Sequence, residues 1–81
     1  MGKHLRTLEA IRANPTRANI RWKDIESLLL FLGATMKEGA GSRVRFDLGE
    51  RTAVFHRPHP SPTVKKGVVR AVRTFLEGIE L

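Results

Sequence analysis

Two runs of alternating polar and apolar residues, Ser42 to Leu48 and Arg51 to His56, are separated only by Gly49-Glu50. Alternation with a period of two marks strands that bury one face, because successive side chains point to opposite sides of a sheet. A two-residue connection opening on glycine suits a tight hairpin turn. An even-length turn sets Val44 opposite Phe55 and Phe46 opposite Ala53 on an inner face. It sets Arg43 opposite His56 on the outer face, with Arg45 beside them. An odd-length turn would reverse the facing, and the apolar matching supports the even one. A lone hairpin is at best marginally stable in water, so the rest of the chain must cover its inner face.

The flanking segments supply that cover. Ala34 to Glu38 reads as a further strand, joined to the hairpin by the flexible Gly39-Ala40-Gly41. Ile20 to Leu32 carries Trp22, Ile25, Leu28, Leu29 and Leu32 on one helical stripe, with Gly33 as a stop. A last helix is expected from the N-cap Thr63 to about Glu77, with Gly78 as its stop. Val64, Val68, Val72, Phe75 and Leu76 form its apolar stripe, and Lys66, Arg70 and Arg73 its opposite face. Between hairpin and last helix, His56-Arg57-Pro58-His59-Pro60-Ser61-Pro62 is too rich in proline for a central strand or a helix. An extended loop is expected there. In front, Lys3 to Ala13 repeats Leu5, Leu8 and Ile11 at helical spacing until Asn14-Pro15-Thr16 ends the pattern.

The order is helix, three strands, helix, in the α+β class: a three-stranded antiparallel sheet packed by two helices, with a short extra helix in front. With 81 residues there is room for one domain. It is expected over residues 20–81, preceded by an N-terminal helical arm over 1–19. Leu30 and Phe31 widen the first stripe beyond one packed face. Cover by the arm is the preferred reading, and a partner surface the other.

Charge bounds the function. Lys and Arg number 15 against 8 acidic residues, giving +7 and a pI near 11.2. Between Arg43 and Arg73 stand eight basic residues and two acidic ones. Such a domain is suited to nucleic acid or an acidic partner. Lys65 and Lys66 fall at the start of the last helix, where the dipole disfavours cations by up to ~1 kcal/mol unless an anion docks there. With one Trp, four Phe and no Tyr, mostly on core stripes, contacts should go to phosphate rather than to stacked bases. Phosphate contacts alone do not separate RNA from DNA.

His56 and His59 flank a proline inside this basic stretch. Metal-free RNA cleavage needs a base for the ribose 2′-hydroxyl, an acid for the leaving oxygen, and cations around the phosphate. Histidine and arginine supply all three, although two solvated loop histidines are the commoner case. No carboxylate completes a two-histidine metal site, His4 reads as a surface residue, and no phosphate-cradling loop or nucleophile elbow is present. No metal or other cofactor is expected. The chain has no cysteine, no apolar run long enough to span a membrane and no signal-peptide pattern, so a cytoplasmic location is expected.

The pieces Leu32-Gly33-Ala34, Gly41-Ser42-Arg43, Arg57-Pro58-His59-Pro60 and Lys66-Gly67, followed by an amphipathic helix, resemble the HicA family of type II toxin–antitoxin mRNA-interferase toxins. The resemblance spans roughly Ile20 to Leu76. It implies a fold like the double-stranded-RNA-binding domain, a metal-independent endoribonuclease acting on mRNA, and a HicB-type antitoxin partner that masks the active surface. The family's Gly-Ser-His motif carries the catalytic histidine, and Arg43 holds that place in this chain. Arginine stays protonated and does not serve as a general base. His59 matches a second family histidine, and His56, across the hairpin from Arg43, is the candidate to supply the imidazole. Ser42, Arg43, Arg45, Arg57, Lys65, Lys66 and Arg70 are the expected RNA contacts. Two other readings stay open: a catalytically silent RNA-binding module of the same fold, and an adaptor whose basic surface docks an acidic protein.

Overall fold

A computed structural model describes residues 2–81. Its elements are α1 (Lys3–Arg12), α2 (Trp22–Phe31), β1 (Thr35–Glu38), β2 (Arg43–Leu48), β3 (Arg51–His56) and α3 (Lys66–Phe75). The strands form one antiparallel meander in the order β1-β2-β3. This α-α-β-β-β-α arrangement is an α+β fold of the double-stranded-RNA-binding type.

The hairpin has the register that its alternation dictates, with Arg43 opposite His56, Val44 opposite Phe55 and Phe46 opposite Ala53. Gly49 has φ 61° and Glu50 does not have positive φ. That combination is the glycine-first turn whose twist matches the paired strands. Val44 and Phe46 are fully buried, and Trp22, Phe46, Phe55 and Phe75 form a chain of rings with centroids 6.1 to 6.4 Å apart.

α2 ends as Gly33 foretells. Gly33, at φ 101°, donates its amide to the Leu30 carbonyl, and Ala34 donates to that of Leu29. These are the paired bonds of a Schellman stop, and only glycine adopts the conformation without a steric penalty. The helix starts two residues later than its apolar pattern suggests. Ile20 and Arg21 are instead extended and pair with the segment before α3: Val64 N–H donates to Ile20 O, Trp22 N–H donates to Pro62 O (both 2.9 Å), and Arg21 bridges to Thr63.

The same pairing moves the start of α3. Thr63 is not its cap; the Thr63 amide and hydroxyl contact the Ser61 hydroxyl instead. Lys65 takes the N-cap position without a side-chain cap. The buried stripe of α3 runs through Val69, Val72 and Phe75, with Val64 just before the helix and Leu76 just after it. Val68 is only half-buried.

α1 buries Thr7, Leu8 and Ile11, and the two apolar residues join the same core. It covers the end of α2 only in part, through His4, because Leu8 and Ile11 turn into the core rather than across Leu30 and Phe31. Those two remain 44% and 60% exposed. His4 is no surface ornament: its ring stacks on Phe31 at a centroid distance of 4.3 Å.

Candidate nucleic-acid interface

Strand pairing builds the outer face of the sheet. Residues opposite one another share a face, so Arg43, Arg45 and Asp47 of β2 join Thr52, Val54 and His56 of β3 and Thr35 and Lys37 of β1. Lys37 lies opposite Arg45 and was not evident from the sequence, since β1 is too short to show alternation. Arg43, Arg45, Lys37 and Val54 line one shallow groove.

The cations here differ in freedom. Arg45 is held by Asp47 through two-pronged contacts of 3.1 to 3.2 Å, and Thr52 donates its hydroxyl to the same carboxylate at 2.7 Å. The Thr52 hydrogen bond, followed by Arg45, holds the Asp47 carboxyl below its ordinary 3.8. Arg43 has no ion pair or side-chain hydrogen bond with any described residue. It sits beside His56 as an available cation.

Past the end of β3 the chain turns toward the helix layer. The Arg57 amide donates to the Ser42 carbonyl at 2.9 Å, and its guanidinium donates to Glu38 Oε1 at 2.7 Å. Glu38, chiefly through that bond and aided by the field of Glu26, raises the already high Arg57 pKa. Arg57 is therefore first a strut tying the proline-rich loop to β1. Ser42 is exposed at the neck of the hairpin.

A cleft opens between this loop and the start of α3. His56, Arg57, His59, Ser61, Lys65 and Lys66 line it, with Val64 and Val68 among its apolar wall. Both candidate histidines and both lysines thus meet in one place, and His56 pairs across the hairpin with Arg43 of the outer-face groove. The Lys66 and Gly67 amides donate to no group among the described residues, and the first turn of α3 holds no acid. Free amides, helix dipole and two ammonium groups converge there, as an anion site requires. No cluster of three or more His, Cys, Asp or Glu residues that could hold a metal occurs among the described residues.

Of the basic stripe expected on the last helix, the expected contact Arg70 and its neighbour Arg73 lie apart from the cleft. Arg70 is exposed on α3, one turn beyond Lys66, and lines neither depression. Arg73 leaves the basic face altogether. Its guanidinium donates to the carbonyls of Ile11 (3.0 Å) and Ala13 (3.1 Å) and to the Thr16 hydroxyl (3.1 Å), closing the end of α1. Among the aromatic rings, Trp22, Phe46, Phe55 and Phe75 are buried, which leaves Phe31 as the exposed one.

The fold and the cleft define a small α+β protein of the double-stranded-RNA-binding type with a basic cleft beside the start of α3. The family model described as HicA toxin of bacterial toxin–antitoxin matches residues 22–79, most of the chain. The chain belongs to the HicA toxin family, the toxin side of a toxin–antitoxin pair. The matched span begins after α1. No curated protein and no solved structure shows significant similarity to the chain. No helix among the described residues is long and apolar enough to cross a membrane.

Proposed function

We propose that this chain is a metal-independent endoribonuclease that cleaves mRNA in the cytoplasm and is inhibited by a HicB-type antitoxin covering its basic cleft. The observation that carries the reading is the meeting of His56, His59, Lys65 and Lys66 in one cleft, with Arg43 opposite His56 on the hairpin. The position that holds the family's catalytic histidine is here next to one, on the neighbouring strand.

In this reading the lysines, Arg43 and the free α3 amides receive the scissile phosphate and balance the charge that builds on it. His56 takes the proton of the ribose 2′-hydroxyl, and that oxygen attacks phosphorus. The bond to the 5′-oxygen breaks as His59 gives that oxygen a proton. The products end in a 2′,3′-cyclic phosphate and a 5′-hydroxyl, and each histidine leaves in the other's starting protonation state. Arg57 acts as a positioning residue, holding the loop that carries His59.

The test is cleavage of mRNA by the purified chain in excess chelator, with the ends of the products identified. His56→Ala and His59→Ala should each slow the reaction by roughly 10²- to 10⁴-fold, the usual yield of general acid–base catalysis. Undiminished cleavage by His56→Ala would remove that residue from the mechanism. Arg43 in the family's histidine position favours one other reading, an RNA-binding module without cleavage. That reading is chosen if the wild-type chain binds RNA with a clear salt dependence and leaves it intact.

A further inference from the structure

A second basic pocket lies away from the cleft, between α1 and the segment leading into α2. Lys3, Arg6, Arg17 and Arg21 line it, and Asp24 is the one acid among the lining residues. Asp24 reaches only Lys3, at 3.9 Å. Arg6, Arg17 and Arg21 make no ion pair or side-chain hydrogen bond among the described residues. Three free guanidinium groups therefore face one depression.

This pocket is not isolated. Arg21 also lines an adjoining depression with Lys23, Arg57, Pro58 and Ser61, and the last three of these belong to the cleft wall as well. The join is built by the backbone, since the Arg21–Thr63 bridge fixes the entry to α2 against the entry to α3. Both helices consequently begin at this seam, with Arg21 and Lys65 as their N-caps and no capping side chain at either. Ser, Thr, Asp or Asn would serve a helix start better, and a cation there works against the dipole. The fold gains nothing from these choices. A polyanion lying across both helix starts gains from all of them.

We propose that the α1 pocket and the Arg21–Lys23 depression extend the cleft into one continuous track for the phosphate backbone of single-stranded RNA. The reading rests on the proposal that the cleft itself holds RNA. Nucleotides on one side of the scissile phosphate pass along the proline-rich loop to Arg21 and end among Arg6 and Arg17. The contacts are to phosphate, so they add affinity and set the length of strand engaged, without selecting bases.

The experiment measures RNA affinity against salt for two homopolymer strands, one of about four nucleotides that fills only the cleft and one of about sixteen. Arg6→Ala combined with Arg17→Ala should lower the log–log salt slope for the long strand by about 1.4, roughly 0.7 for each phosphate contact removed. The short strand should bind the variant and the wild type alike. Arg6→Lys with Arg17→Lys should restore the slope, which a folding defect would not allow.

An unchanged slope for the long strand, with Lys65→Ala/Lys66→Ala still weakening the short one, overturns the track and leaves the cleft reading intact. Wild-type protein that binds neither strand overturns both. Binding of polyglutamate that is lost in Arg6→Ala/Arg17→Ala, while long-strand RNA binding is kept, assigns the surface to an acidic protein and overturns the track.

Discussion

The two ends of the helix layer use the same residue types for opposite purposes. At helix C-termini the cations are engaged. Arg51 donates to the carbonyl of Phe75, the last residue of α3, at 2.7 Å, and Arg73 takes two carbonyls at the end of α1. Arg12 reaches the Ile79 carbonyl and lies 3.6 Å from Glu80. Helix ends leave carbonyls without partners and carry partial negative charge, so these arginines satisfy and neutralise what the fold itself creates. At the starts of α2 and α3 the cations are free: Arg21 opens α2, and Lys65 and Lys66 open α3, whereas Lys3 at the start of α1 meets Asp24. Their charge opposes the dipole and no carboxylate among the described residues pairs with them, since Asp24 in the first turn of α2 reaches Lys3 instead. The first group serves the fold, and in the proposed reading the second serves a ligand.

Removal of Arg73 should break the molecule's stability most. Three part-buried bonds to one guanidinium are lost and two carbonyls stay unsatisfied, so Arg73→Ala should cost about 2 kcal/mol. For a domain this small the melting temperature then falls by roughly 10 °C. RNA affinity of the folded fraction should stay as in the wild type. A stable Arg73→Ala protein that has lost RNA binding would break the comparison.

The opposite pattern is expected at the other end. Lys65→Ala/Lys66→Ala should leave thermal stability unchanged or raise it by a few tenths of a kcal/mol, because an unfavourable dipole contact disappears. Its salt slope for RNA should drop by about 1.4. A fall in melting temperature like that of Arg73→Ala would show that the lysines serve the fold.

The smallest effect concerns the Arg45–Asp47–Thr52 clasp, a paired cation on the otherwise available outer face. Its Asp47 carboxyl is depressed below 3.8 in the folded chain. The clasp's contribution is thus full above that value and is lost as the pH falls through the depressed one. Asp47→Asn should melt slightly below wild type at neutral pH, with the gap closing in acid. A gap that persists unchanged at low pH would mean that Asp47 acts by packing and not by charge.

Much of this comparison follows from local pattern, and the rest from contacts between distant parts of the chain. The hairpin register was legible because period-two alternation and a glycine-first turn act within fifteen residues. Gly33 marked the end of α2 for an equally local reason. Arg73 was misplaced on the basic face because its partners, Ile11, Ala13 and Thr16, lie 57 to 62 residues away. Thr63 carries a helix-capping signal, but its pairing with Arg21 overrides it. The cleft histidines and lysines were legible as types and neighbours in sequence. Their meeting across the proline-rich loop was not, and neither was the partnership of Arg57 with Glu38.

In the proposed mechanism His56 replaces, from the next strand, the imidazole missing at position 43. The most direct measurement is the mRNA cleavage rate of the wild type, His56→Ala, and His56→Ala combined with Arg43→His. Cleavage should be lost in the single variant and substantially recovered in the double one, because the imidazole returns to the same patch of the outer face. Cleavage by His56→Ala at the wild-type rate would contradict this mechanism.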